Sequence, residues 1–228
     1  METMVTLFLI SILMAMAASA LSSASRIFVR IQKTQYAQSV LDTTMTELRT
    51  ITKDAAGYVK LYERTTAMDE QYGGSKGTNT KGNAIEFMTP EGFVELVSAN
   101  GCPETEIHIG DKVTGTADAV ETGQLLTRYY FRNSNTGQYI FTQNGKPVAR
   151  AVANVFAKGF YMGNYVEVEY SYPANVSDGS KISSITAKVT VYSEYDKATK
   201  SLKNVLHYTE GHYRTMQKGE ALRLPLKH

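Results

Sequence analysis

Residues 1–25 read METMVTLFLISILMAMAASALSSAS, and the fold turns on whether this stretch is cut away or kept as a helix. From Thr3 to Ser25 there is no charged side chain, which is enough apolar chain to cross a bilayer as one helix. Ala18-Ser19-Ala20 and Ser22-Ser23-Ala24 have the small residues of a secretory cleavage site. The front end does not fit that reading. A secretory signal opens on basic residues, whereas the only charge ahead of the apolar run is Glu2.

The chain behind Ser25 continues as a helix. No Gly and no Pro occurs between Met1 and Ala56, so the two strongest helix breakers are absent. Beyond Arg26 the apolar residues Ile27, Ile31, Leu41, Met45, Leu48, Ile51 and Ala55 recur at helical spacing, with Arg30, Lys33, Gln38, Asp42, Glu47, Arg49 and Lys53 between them. That is the pattern of an amphipathic helix. Gly57 stands where a left-handed helix cap is expected. At 1.5 Å per residue, Thr3 to Ala56 predicts a continuous rod on the order of 80 Å long. Three segments follow: a hydrophobic helix segment over 1–25, its amphipathic continuation over 26–57, and a β-rich head over 58–228. The stripe Leu41, Met45, Leu48, Ile51 and Ala55 is expected to pack on one face of an antiparallel sheet, giving an α+β fold.

A rod that is apolar first and amphipathic second, ahead of a strand-rich remainder, resembles the type IV pilin and pseudopilin family. The resemblance covers the first quarter of the chain. The family's mature N-terminus carries a short threonine-bearing motif that runs into the apolar helix. Glu2, Thr3, Met4, Val5 and Thr6 lie on that motif, with Thr3 matching its threonine and Met4 and Val5 its apolar pair. Two departures stand out: the basic leader ending in glycine is absent, so the sequence is expected to represent a mature chain or one that begins near the cut, and the motif's glutamate falls on Thr6. Cutting before Glu2 would leave one residue carrying both an ammonium and a carboxylate, a local form of the neutralisation that a buried charge requires.

The resemblance implies a structural, non-enzymatic subunit of an extracellular pilus or pseudopilus, with the departures favouring a minor pilin or pseudopilin. Leu7, Phe8, Leu9, Ile10, Ile12 and Leu13 would pack in the filament core. The implied partners are other pilin subunits, a prepilin peptidase with the pilus assembly machinery, and the membrane before assembly. A surface ligand of the head is a further option. Localisation would pass from a single-pass precursor in the cytoplasmic membrane to the cell surface or filament. The rival reading is a membrane-anchored exported binding or adhesion protein that does not polymerise, its long helix a stalk. Arg26, Arg30 and Lys33, directly behind the apolar run, would by themselves favour an N-out orientation.

Of the 228 residues, the part behind the helix is of ordinary single-domain size. A formal charge of +2 is too small to imply a nucleic-acid partner. The single cysteine, Cys102, leaves no internal disulfide. Residues 72–83 are Gly-, Ser- and Asn-rich and read as a polar loop. Ala84–Thr89 and Phe93–Ser98 flank Pro90-Glu91-Gly92 as a hairpin. Gln124–Phe131 and Gln138–Gln143 are aromatic-rich runs joined by residues 133–137, and Asn144-Gly145 is the strongest short turn signal. Residues 148–156 lean towards strand. Tyr165–Tyr172 alternates as a half-buried strand, Lys181–Ser193 repeats the pattern, and Asn204–Tyr208 supplies a last strand.

Three constellations imitate chemistry. His207 and His212 flank Glu210, but on an extended strand the two imidazoles face opposite ways, which argues against a metal site. Glu104, Glu106 and His108 share one face of an extended segment, with no nucleophile motif beside them. Gly77 to Gly82 has the glycine spacing of a phosphate loop, but Asn83 takes the lysine position. No catalytic set and no cofactor is therefore expected. The 15 tyrosines suit strand and core positions, although Tyr129, Tyr130 and Phe131 cannot all face inward from one single-faced strand.

Overall fold

The computed structural model describes residues 2–62, 80–99, 112–114, 123–133, 136, 138–143, 145–147, 149, 151–173, 184–199 and 201–214. It is an α+β structure with one long N-terminal helix and antiparallel sheets. Helix α1 runs unbroken over Glu2–Thr52, 51 residues, as the absence of Gly and Pro predicts.

The helix ends earlier than the sequence suggests. Thr52 is fully buried and its hydroxyl is bonded to the Leu48 carbonyl at 2.7 Å. Asp54 and Ala55 then bond back three residues, to Ile51 and Thr52, and strand β1 begins at Ala56 (Ala56–Tyr62). Gly57 is thus no helix cap. It lies where the pairing with the next long strand shifts register, between Ala56 and Val59, a bulge position that suits glycine. Val59 and Leu61 are buried while Lys60 is exposed. This alternation lets residues 56–62 gain a ladder and a core face at once, which outweighs one more helical turn.

The remaining strands are β2 (Lys81–Gly82), β3 (Ala84–Met88), β4 (Phe93–Ser98), β5 (Lys112–Thr114), β6 (Leu126–Phe131), β7 (Thr142–Gln143), β8 (Lys146–Pro147), β9 (Ala151–Asn154), β10 (Tyr165–Ser171), β11 (Ser184–Asp196) and β12 (Ser201–Arg214). They build a six-stranded sheet in the order β1-β3-β4-β6-β9-β5, a four-stranded sheet in the order β12-β11-β10-β2, and the small β7-β8 hairpin. Only β5 and β9 pair in parallel among these ladders.

The β3-β4 and β7-β8 hairpins fall where the Pro90-Glu91-Gly92 and Asn144-Gly145 turns predict, with Gly92 and Gly145 at φ +88° and +77°. Residues 151–154 take the strand option, as β9. The run Gln138–Gln143 contributes only a bridge, Arg132 to Tyr139, and the two residues of β7. Lys81 and Gly82, which the sequence predicts as loop, form a short edge strand on β10. Of the remaining loop, residues 72–79 lie outside the described residues, as do Cys102, Glu104, Glu106 and His108.

The last strand is far longer than Asn204–Tyr208. β12 pairs with β11 from Ser201 to Arg214, with a bulge where Val191 pairs with His207 and Tyr192 with Val205. Asn204 takes φ +60° there, its amide bonded to Glu194 at 2.9 Å; asparagine tolerates this backbone better than most residues. Gly211, beyond the end of the predicted strand, pairs with Ala187 and carries β12 on beneath the helix.

Two cores result. The larger gathers Ala37, Val40, Leu41 and Leu48 of α1 with the inward residues of β10 and β11 and the inner face of the six-stranded sheet. The smaller covers that sheet's other face with Tyr62, Val94, Leu96, Leu126, Tyr130 and Val152. A sheet buried on both faces was not foreseen, and it resolves the crowding at residues 129–131. Tyr130 is buried in the smaller core, while Tyr129 and Phe131 are half-buried on the opposite face.

Candidate functional site: the N-terminal helix and its joint with the head

The helix changes character at Ala37. From there on, Ala37, Val40, Leu41, Thr44, Leu48 and Thr52 are all within 1% of complete burial, the recurrence of one helical face pressed on β11 and β12. Of the stripe expected to face the head, Leu41 and Leu48 are buried in the core, Met45 and Ile51 pack at its edge, and Ala55 is buried just past the helix end. Tyr213 fastens the same joint. Its hydroxyl donates to the Met45 carbonyl at 3.1 Å and meets Met45 Sδ at 3.2 Å, and the Arg49 guanidinium lies 6.0 Å from its ring centre. Burial raises the Tyr213 phenol to about 12, partly offset by Arg49. At Gly211 an added Cβ would come within 2.5 Å of Met45 Cε, so β12 approaches the helix through a residue without a side chain.

Before Ala37 the helix stands clear of the head. Leu7, Phe8, Leu9, Ile10, Ile12 and Leu13 are between 41% and 67% exposed, and their apolar neighbours Met4 and Val5 are 78% and 57% exposed. These residues cover every direction of the helix surface, which is the signature of a helix built for a wholly apolar surrounding. It is one helix long and apolar enough to cross a membrane, starting from Thr3. The Ser11 hydroxyl donates to the Leu7 carbonyl at 2.8 Å, so this polar group brings its partner with it. Ala15, Ser19, Ala20 and Ser23 leave a shallow groove alongside Ile12 and Met16, a surface that allows close approach of a second helix. Thr3 and Thr6 fall within the first turns of α1, which Glu2 opens.

The polar residues that sequence reasoning missed lie inside the sheets. On the inner face of the six-stranded sheet Phe87, Glu95 and Tyr129 stand opposite one another. Glu95 is only 7% exposed. Burial pushes its carboxyl up to about 7; the Tyr129 hydroxyl bond opposes the rise, while Asp54, in the turn behind the helix, and Glu91 add to it. On the other face Glu86, Leu96 and Arg128 share one register row, with Glu86 1% and Arg128 0% exposed. The Tyr62 phenol is hydrogen-bonded to Glu86, and burial raises it strongly. The available signal was a charge at an inward position of an apolar run, as in AIEFM and FVELVS.

His207 pairs with inward-facing Val191, whereas His212 pairs with Thr186 and takes a 2.8 Å bond from or to its hydroxyl. The two imidazoles thus lie on opposite faces, as alternation requires. A cleft of about 400 Å³ beside β2 and β10 is lined by Lys81, Gly82, Asn83, Glu167, Val168 and Glu169. It holds a solvent-exposed Lys81–Glu169 pair at 3.8 Å and, among the described residues, no nucleophile.

Comparison with known proteins finds no matching family model, no matching curated sequence and no matching solved structure.

Proposed function

We propose that this chain is a non-enzymatic structural subunit of a type IV pilus-like or pseudopilus filament, more of the minor than the major kind, held in the membrane by its N-terminal helix until it is assembled. One observation carries the reading: the helix surface is apolar and exposed on all sides from Met4 to Leu13, while the same helix is locked into the head from Ala37 onward. An apolar rod of this kind is stable in lipid or among equivalent helices. Extraction into a filament exchanges one apolar surrounding for another, and assembly machinery supplies the work. The resemblance of Glu2 to Thr6 to the pilin N-terminus supports the same reading.

The second reading is an anchored binding protein that does not polymerise. It draws on an exposed aromatic edge of the head, where Phe93 and Phe131 meet edge to face at 4.8 Å and Phe131 and Phe141 at 6.0 Å, with Ile140 56% exposed beside them. Apolar surface of this sort marks interaction sites.

Leu9→Lys separates the two. A lysine near the centre of a span costs about 3 kcal/mol on insertion scales and survives by snorkelling. In a packed filament core it reaches no headgroup region, and its desolvation blocks assembly. The filament reading expects the variant in membrane fractions and absent from sheared surface filaments that contain the unmodified protein. Filaments that incorporate the variant at normal abundance count against burial of this segment. An unmodified protein never found in filaments favours the anchor.

A further inference from the structure

Arg26, Arg30 and Lys33 are the only charged residues between Glu2 and Asp42. All three are exposed, and none forms an ion pair with a described residue. Asp42, the first carboxylate along the helix after them, is already engaged by the Gln38 amide at 3.0 Å and 3.1 Å. Three positive charges therefore stand together on exposed helix with no ion-pair partner among the described residues.

Their spacing puts them on one side of the rod. Positions i, i+4 and i+7 fall on one helical face. Arg26 to Ala37, Arg30 to Leu41 and Lys33 to Thr44 are each eleven residues (37 − 26, 41 − 30, 44 − 33), about three turns with a drift of about 20°. Ala37, Leu41 and Thr44 are the residues that face the head. The basic stripe is thus the continuation, below the head, of the face on which the head sits.

The stripe also starts where the uncharged run Thr3–Ser25 ends. Those 23 residues span about 35 Å, close to the hydrocarbon thickness of a bilayer, which brings Arg26 to the headgroup level on the head's side and sets Arg30 and Lys33 just above it. Phe28, 64% exposed, and Tyr36, 40% exposed, add aromatic rings to the same stretch, as is common at membrane interfaces.

We propose that Arg26, Arg30 and Lys33 form a binding surface for the phosphates of acidic phospholipids in the leaflet beneath the head. This rests on the reading of residues 1–25 as a membrane span. Each basic residue near an anionic surface strengthens association by about five-fold, and the head on the same side of the rod places the engaged lipids under it.

The test uses the full chain in lipid nanodiscs, one set of phosphatidylcholine alone and one containing a minority of phosphatidylglycerol, with lipid retained per protein read by native mass spectrometry. The unmodified chain is expected to enter both and to retain phosphatidylglycerol in preference to phosphatidylcholine, a preference that fades as ionic strength rises. Arg26→Gln/Arg30→Gln/Lys33→Gln is expected to enter both discs and to lose the preference by about ten-fold or more, whereas Arg26→Lys/Arg30→Lys keeps it. Entry into both discs with equal retention of the two lipids, or a preference unchanged in the glutamine variant, overturns the proposal and leaves the membrane reading intact. Loss of self-association by that variant with lipid retention unchanged assigns the stripe to a second copy and also overturns it. Failure of the unmodified chain to enter either disc removes the membrane span, and this surface with it.

Discussion

Glu95 sits opposite Phe87 and Tyr129 on the inner face of β4, and its carboxyl is raised from 4.5 to about 7, first by burial and then by Asp54 and Glu91. A folded-state value above the unfolded one means that the native protein holds this proton more tightly. Its contribution is then fully present below pH 4.5 and is lost as pH rises towards 7. The expected loss is about 3 kcal/mol, read as the difference in urea midpoints between the protein and Glu95→Gln, which lacks this slope. Identical pH profiles for the two would show that Glu95 is solvated in the native state. Gly82 makes a second residue-level prediction. An added Cβ there would lie 2.3 Å from the Tyr62 carbonyl oxygen, a backbone atom that cannot step aside. Gly82→Ala is expected to cost about 2–3 kcal/mol. Gly145→Ala, with φ +77° but open space around it, is expected to cost about 1–2 kcal/mol; a reversed order in chemical denaturation would show that β2 is free to move off β1.

At the scale of elements the helix divides its labour along its length. Leu41 and Leu48 are buried among β-strand residues, so Leu48→Ala is expected to destabilise the head by about 2–5 kcal/mol. Leu9→Ala, far from the head, is expected to change it by less than about 0.5 kcal/mol, both measured by denaturation of the detergent-solubilised chain. Comparable losses would mean that the apolar segment folds back on the head. The hairpin β11-β12 is the other decisive element. Its tip is closed locally, with Asp196 accepting from the Ala198 and Thr199 amides at 2.9 Å and 3.3 Å and pairing with Lys203. These bonds hold the Asp196 carboxyl well below its usual range. The length of β12 could not be read from its residues, because Gly211 and the polar run around it give no alternation. It is a strand because β11, strongly alternating, offers a ladder along its whole length.

For the whole molecule, core contacts of the helix begin at Ala37, which makes the head independent of what precedes it. A chain lacking residues 2–25 is expected to keep the head's thermal transition within a few degrees, since few of the contacts that set it are removed, and to lose membrane association. A large drop in that transition would show that the apolar segment contributes to the head's stability. The helix, the β3-β4 and β7-β8 turns and the alternation of β10 were legible in the residues, each being a local pattern. Three features were not: the end of the helix at Thr52, the burial of the six-stranded sheet on both faces, and the inward charges Glu86, Glu95 and Arg128. Each depends on what packs on the far side, which no local window contains.

The long unbroken helix, its division into an apolar and an amphipathic part, and the strand-rich character of the remainder follow from local pattern, because helical continuity and strand alternation rest on backbone preference and side-chain period. Long-range packing set where the helix stops, how far β12 runs, and that most of the described strands divide between a six-stranded and a four-stranded sheet. Those outcomes are set by strand pairing and burial between residues far apart in the chain, such as Val59 with Phe87 and Tyr213 with Met45. There the free energy of a completed ladder and core outweighs the modest local preferences of the residues that join it.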